Sequence, residues 1–210
     1  MKKKIKLNRK GITLIELLVA LVLGTMLVGG IYRLFVSQNR AYAVQDQVVD
    51  MQQNIRGAME ILIRDLRMTG CDDDTTPGIT PGGTPIIVGD HTVTTRFERG
   101  GALCVVQYWV DGNSNLMRQQ TLGAVTTSEA LLGNVNALTL TYGVDVDEDG
   151  AMDDLNGNNI VDDWVNAASA GGLKVISVHV TLTVGPPQGN PDLQNVSPRS
   201  LISAVTFRNL

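Results

Sequence analysis

A run of carboxylates between Asp145 and Asp163 is the part of this sequence whose side chains are best suited to chemistry. The run holds eight acidic residues, and no Lys or Arg occurs between Arg118 and Lys174 to balance them. Such a dense negative charge either lies open to water or surrounds a cation. The eight residues are Asp145, Asp147, Glu148, Asp149, Asp153, Asp154, Asp162 and Asp163.

The spacing of the first half of this run favours a cation. Asp145, Asp147, Asp149, Gly150 and Asp153 follow positions 1, 3, 5, 6 and 9 of an EF-hand-type calcium loop. Oxygen ligands two residues apart point inward as such a loop coils, and the glycine permits its sharp turn. The flanking segments look like strands, so a helical EF-hand is not expected.

The pattern recurs nine residues later, with Asn159 in place of the glycine, a substitution that turn geometry tolerates. Neither copy has the bidentate Glu of position 12. The sequence therefore predicts one or two calcium ions, and a solvated acidic loop is the alternative. The predicted ligands are Asp145, Asp147, Asp149, Asp153, Asp154, Asn156, Asn158 and Asp162.

A second chemical feature is a carboxylate inside the N-terminal apolar segment. The 21 residues from Ile12 to Tyr32 include one charged residue, Glu16, and as a helix they would span roughly 31 Å, enough to cross a bilayer core. A charge at this depth costs about 2.5–3.5 kcal/mol on insertion scales, so a partner is expected. A cut between Gly11 and Ile12 would supply one, because the new α-amine of a neighbouring subunit could pair with Glu16.

The leader at residues 1–11 sets the orientation of this segment. Its cations keep the N-terminus in the cytoplasm and send the rest of the chain outward. A secretory signal has its small-residue cleavage site after the apolar core, whereas Gly11 precedes it, so a cut there keeps the helix. A signal anchor that happens to contain Gly and Glu is the alternative. The leader cations are Lys2, Lys3, Lys4, Lys6, Arg9 and Lys10.

The segment GITLIELLVA, which starts at Gly11, resembles the cleavage and methylation signature of type IV prepilins and of the related pseudopilins of type II secretion. The resemblance implies that prepilin peptidase cuts after Gly11 and that the amine of Ile12 is methylated. It also implies that Glu16 sets the register between subunits during assembly. Ile12 stands where the family usually has Phe.

Three further blocks, IRGAMEILIRDLRMTGC, NVNALTLTYGVDVDEDG and SAVTFRNL, resemble PilW-type minor pilins. This implies a low-abundance subunit that helps to initiate pilus assembly with other minor pilins, the major pilin and the inner-membrane assembly platform, near the tip. The chain would be a single-pass inner-membrane protein with a periplasmic C-terminus, and after assembly part of a cell-surface pilus. A J-type minor pseudopilin is the alternative, followed by a membrane-anchored binding protein that does not polymerise.

Composition narrows the classes of function. Removal of the six leader cations leaves 11 against 21 acids, a net charge near −10, so no bound nucleic acid is expected. No nucleophile motif, phosphate-binding glycine loop or His-rich metal set occurs, which predicts that the protein is not an enzyme. Cys71 and Cys104 would lie outside the cytoplasmic membrane, where one disulfide between them is expected. Free buried thiols are the alternative.

One long helix should carry the N-terminal site. Through its second half, apolar or small residues recur every three or four positions, the period of an amphipathic helix. We expect a single helix from Ile12 to Met68, with residues 12–32 in the membrane and residues 33–68 in the periplasm. The second half should lay its apolar stripe on a sheet.

Residues 69–210 should form a β-rich head that contains the acidic loop at 145–163. A loop rich in Asp, Pro and Gly follows the helix, and His179 should face solvent on an alternating strand. The fold class expected is α+β, a long N-terminal membrane-spanning helix packed on an antiparallel β-sheet, as in pilins. The predicted strands are 85–88, 91–98, 103–110, 116–120, 135–142, 173–184 and 201–209.

Overall fold

A computed structural model describes residues 11–72, 84–155, 163–187, 189, 193 and 196–208. The chain divides into two compact units between Asp46 and Gln47.

Helix α1 runs from Leu14 to Arg67, 54 residues, in agreement with the helix expected from the sequence. In the first unit its apolar side chains are exposed, as Leu14 and Met26 illustrate at 82% and 75%. Among the described residues, it is the one helix long and apolar enough to cross a membrane. In the second unit the helix buries a stripe with steps of three and four residues, comprising Met51, Ile55, Ala58, Met59, Leu62, Ile63, Asp65 and Leu66.

A five-stranded antiparallel sheet follows the helix, with its strands in chain order. The strands are β1 (Ile86–Val88), β2 (Thr92–Arg99), β3 (Ala102–Val110), β4 (Leu116–Leu122) and β5 (Val125–Leu132). A tight turn joins β3 to β4, where the Asp111 N–H donates to the Asn115 carbonyl at 2.9 Å. Strand β5 was not predicted, because most of its side chains are polar or exposed on both faces.

A second antiparallel sheet has three strands in the order β6, β7, β8, where one sheet had been expected. The strands are β6 (Val135–Asp145), β7 (Lys174–Val184) and β8 (Arg199–Thr206). A one-turn helix, α2 (Ala167–Ala170), precedes β7. Both sheets contribute to one core with the second half of α1, so the predicted class, a long helix with antiparallel β-structure, is confirmed.

One tyrosine connects the two sheets. Tyr142 on β6 is fully buried, and its hydroxyl donates to the Gly89 carbonyl at 2.7 Å and accepts from the Gly89 N–H at 3.0 Å. Gly89 lies between β1 and β2, so these bonds join the sheets at the point where the five-stranded sheet begins. Burial raises the pKa of Tyr142 to about 12.

A buried carboxylate connects the helix to the five-stranded sheet. Asp65 of α1 accepts hydrogen bonds from the Tyr108 hydroxyl at 2.7 Å and from Arg118 Nε at 2.8 Å. Arg118 also donates to Gln120 at 2.8 Å and to Glu129 at 3.1 Å. Burial, and then the charge of Asp65, raise the pKa of Tyr108, so the phenol stays protonated as a donor.

The structure corrects the expected disulfide, because Cys71 and Cys104 are both free thiols. Cys104 pairs with Phe97 of β2 on one side of that strand. On the other side, which faces β1, the Glu98 N–H donates to the Cys71 carbonyl at 2.7 Å. Strand β2 thus separates the cysteines by two strand spacings, roughly 9–10 Å, beyond the Cα separation of about 7 Å that a bridge tolerates.

The prediction that His179 faces solvent is wrong, because the residue is half-buried. Its ring lies 5.1 Å from the ring of Trp164, centroid to centroid, and its Nδ1 is 3.4 Å from the Thr141 hydroxyl. The ring of Trp164 therefore covers part of the β7 face that was expected to be open to solvent.

Candidate functional site

The N-terminal candidate site begins just before helix α1. Gly11 lies outside the helix, and a Cβ added there would meet nothing within 4 Å. Ile12 is 76% exposed. The peptide bond between these two residues is therefore sterically open in this structure.

Glu16 has a partner within its own chain that the sequence reasoning missed. The Glu16 N–H donates to the Thr13 hydroxyl at 3.3 Å, and the Thr13 N–H lies 3.5 Å from Glu16 Oε2. Because the helix begins at Leu14, Thr13 is the N-cap and Glu16 is the third helical residue, a reciprocal capping box. The signal was present in the sequence as a Thr followed three residues later by a Glu.

The second candidate site is the loop after β6, where the structure brings three of the predicted ligands together. One carboxylate oxygen from each of Asp145, Asp147 and Asp149 lies within 4.8 Å of the others. Gly150 has a φ of 85°, a left-handed conformation that favours glycine, as the predicted sharp turn requires. Asp147 and Asp149 are exposed, whereas Asp145 is 1% exposed.

Asp145 is the buried member of this cluster. Its Oδ2 accepts hydrogen bonds from Lys174 Nζ at 2.9 Å and from the Gly150 N–H at 3.0 Å. The hydrogen bond from Lys174 is the main cause that holds the pKa of Asp145 below its ordinary value, and the same bond raises the pKa of Lys174. The sequence suggested no such counter-charge, because Lys174 reaches the loop only through the pairing of β6 with β7.

The other oxygen of Asp145, Oδ1, is buried, and no described residue donates a hydrogen bond to it. A buried oxygen of a carboxylate without a donor is costly, and a cation between it and the two exposed carboxylates would satisfy it. With Lys174 retained, the three carboxylates and one ammonium carry a net charge of −2, which one divalent cation neutralises. Oxygen-only ligands suit a hard cation such as calcium.

Two other predicted ligands that the structure describes, Asp153 and Asp154, do not join this cluster. Asp153 folds back on β6, since its carboxylate accepts from the Val146 N–H and its own N–H donates to the Val144 carbonyl at 3.0 Å. Asp154 is half-buried and lies outside the group of three. The rest of the second copy of the motif, Asn156, Asn158 and Asp162, lies outside the described residues.

The comparison with known families bears on the N-terminal site. Residues 6–32 match the family model described as the prokaryotic N-terminal methylation motif, and no curated protein matches the chain. The match covers residues 6–11 of the leader, the Gly11–Ile12 junction, Glu16 and the apolar half of the helix. The apolar half of the helix fits a membrane anchor. The motif implies processing by prepilin peptidase and assembly with other pilins, the role of a structural subunit. The chain thus carries at its N-terminus the signature of type IV prepilins and pseudopilins.

Proposed function

We propose that this chain is a minor pilin of a type IV pilus, a structural subunit that takes part in initiating assembly near the tip. The observation that carries the proposal is the methylation motif at residues 6–32. It runs into a helix whose second half contributes to the core of an antiparallel β-domain. A helix with an exposed apolar first half and a second half that packs in the β-rich unit suits a subunit that leaves the membrane during assembly.

In this proposal prepilin peptidase cuts between Gly11 and Ile12, and the new amine of Ile12 is methylated. The free amine of one subunit then pairs with Glu16 of its neighbour. Before assembly the Thr13 cap lies within 3.5 Å of the Glu16 carboxylate, which offsets part of the cost of placing that charge in the membrane. Assembly would exchange this weak local partner for a cation.

The Glu16→Val substitution tests this role. The variant should be processed and inserted, because loss of a membrane carboxylate favours insertion, yet it should be depleted from sheared pili. Thr13→Ser retains the capping hydroxyl and is the matched control. Incorporation of Glu16→Val at the normal level would refute the pairing.

Quantitative mass spectrometry of the same sheared filaments tests the minor-pilin assignment. The chain should be present at far lower copy number than the major subunit, with other low-abundance pilins. Its recovery instead with components of a type II secretion system would favour the J-type pseudopilin. Its absence from every filament would favour a membrane-anchored binding protein.

We further propose that the loop after β6 binds calcium, with Asp145, Asp147 and Asp149 as ligands. The support is the approach of their oxygens to within 4.8 Å together with the buried Oδ1 of Asp145, to which no residue in the described ranges donates a hydrogen bond. A bound ion would fix the loop at the ends of β6 and β7, the central strand of the smaller sheet. Calcium would therefore act on stability of the head rather than on a reaction.

A further inference from the structure

A groove of the second unit lies between helix α1 and the outer edge of β8. On the helix side it is lined by residues from one face of α1, namely Arg56, Met59, Glu60, Ile63, Arg64 and Arg67. On the strand side it is lined by residues 201–203. A second cavity continues past Arg67 along Ala204–Thr206 to Arg208. The two cavities have volumes of about 300 and 600 Å³.

The strand side of this groove offers unused backbone hydrogen-bonding groups. β8 is an edge strand of its sheet, and the Phe207 N–H donates to the Ile176 carbonyl on β7. Backbone groups alternate between the two sides of an antiparallel strand, so those of Thr206, Ala204 and Ile202 point to the outer edge. No strand of the described part of the chain pairs with that edge.

The charge of the groove is positive. Arg56, Arg64, Arg67 and Arg208 line it, and Glu60 is the one acidic residue among the lining side chains. Within the described ranges, the only ion pair that involves any of these arginines joins Arg64 to its neighbour in sequence at 3.6 Å. The groove thus gathers four of the 11 cations of the chain after Gly11, although that part of the chain carries a net charge near −10.

The groove also has apolar positions between its charges. Met59 and Ile63 are almost fully buried at its floor, whereas the Ile202 side chain is 57% exposed on the strand side. Arg56 and Arg67 are 11 residues apart on α1, roughly 16 Å at the rise of a helix. About five residues of an extended strand span that distance.

From these features we infer that the groove is a docking site for an extended acidic segment of another protein subunit, which adds as a strand to the edge of β8. Backbone pairing to Ile202, Ala204 and Thr206 supplies affinity that does not depend on sequence, as in other cases of strand addition. Carboxylates on one face of the segment meet the arginines, and small apolar residues on the other face meet Ile202. The charge of the groove selects the partner, because guanidinium groups favour carboxylates and repel cations.

The test titrates the full-length chain in detergent with three fluorescent eight-residue peptides, capped at both ends. In each, Val and Thr occupy alternate positions, and the other positions are all Glu, all Gln or all Lys. The Glu peptide should bind about tenfold tighter than the Gln peptide at low salt, with affinity that falls as salt is added. The Lys peptide should not bind.

Two kinds of variant separate charge from backbone pairing. Binding of the Glu peptide should be about tenfold weaker to the triple variant Arg56→Gln, Arg64→Gln and Arg67→Gln. Its affinity should be unchanged for the control variant Arg33→Gln with Arg40→Gln, whose substitutions lie on the same helix but outside the groove. N-methylation of the peptide at alternate amides in one register should abolish binding, and in the other register it should not, because only one set of N–H groups faces β8.

Three results would overturn the inference. One is equal affinity for the Glu, Gln and Lys peptides, and another is equal loss of binding from both N-methylated registers. The third is concentration-dependent self-association of the chain that the triple variant abolishes, since the occupant would then be a second copy of this chain. None of these results bears on leader cleavage or on Glu16, so failure here leaves the proposed function standing.

Discussion

Removal of a single exposed carboxylate from the loop after β6 should eliminate the calcium response of the head while it leaves the fold intact. The substitutions are Asp147→Ala and Asp149→Ala. Among the described residues, the Asp147 carboxylate accepts a hydrogen bond only from the Asp149 N–H, at 3.2 Å, and the Asp149 carboxylate only from the Ala151 N–H, at 2.7 Å. Both contacts are exposed, so either variant should fold. Asp145 is unsuitable as a test, because its substitution would also leave Lys174 without its partner.

The magnitude follows from linkage between binding and folding. Three carboxylates offset by one ammonium leave a net charge of −2. We take a dissociation constant for calcium of about 10 μM, which lies within the range of calcium-sensor loops. At millimolar calcium, about a hundredfold excess, binding stabilises the folded chain by about 2.7 kcal/mol. For a chain of this size that corresponds to a rise in Tm of about 5–10 °C.

The assay is thermal unfolding of the processed chain in detergent, with millimolar calcium or with chelator. Unmutated protein should melt about 5–10 °C higher in calcium, and magnesium should restore less because it requires a tighter octahedron. Asp50→Ala removes an exposed carboxylate of α1 and should keep the full response, whereas Asp147→Ala and Asp149→Ala should show none. Identical melting curves of the unmutated chain in calcium and chelator would mean that the acidic segment is only a solvated loop.

Three further predictions concern the core of the head. Tyr142→Phe leaves both backbone polar groups of Gly89 without their partner and should lower the free energy of unfolding by about 1–3 kcal/mol. Because the pKa of Tyr142 is raised to about 12, the stabilisation by this hydroxyl is complete below pH 10 and is lost as pH rises towards 12. The Phe variant should lack this alkaline loss of stability. Thiol labelling of the unfolded, unreduced protein should modify both Cys71 and Cys104, and a single disulfide would contradict the separation across β2. Asp65→Ala leaves a buried phenol and a guanidinium without their acceptor and should cost about 3–5 kcal/mol, so a melting curve unchanged from the unmutated protein would show that this network is not stabilising.

Features that depend on residues close in sequence were predictable. The helix was predictable because apolar residues recur in it every three or four positions. The approach of Asp147 to Asp149 follows from a coiling loop with a glycine at position 150. The capping box at Thr13 and Glu16 belongs to the same class and was missed only because Glu16 was considered as a partner for another subunit.

Features that depend on strand pairing were not predictable. Lys174 is 29 residues from Asp145, and only the register of β6 with β7 joins them. The sequence alone is compatible with a disulfide between the two cysteines, because it does not show that strand β2 lies between them. Strand β5 lacks an apolar alternation because cross-strand polar pairs hold it, such as Gln119 with Ser128 at 3.1 Å.

Cleavage of the leader between Gly11 and Ile12 is the reaction on which the proposed function depends. The chain should be coexpressed with prepilin peptidase and its intact mass determined, beside a Gly11→Val variant whose β-branched side chain obstructs close approach to the scissile bond. The unmutated chain should lose residues 1–11, with Ile12 as the new N-terminus and the mass of one added methyl group, and the variant should not be cut. An intact chain of 210 residues in the presence of active peptidase would contradict it.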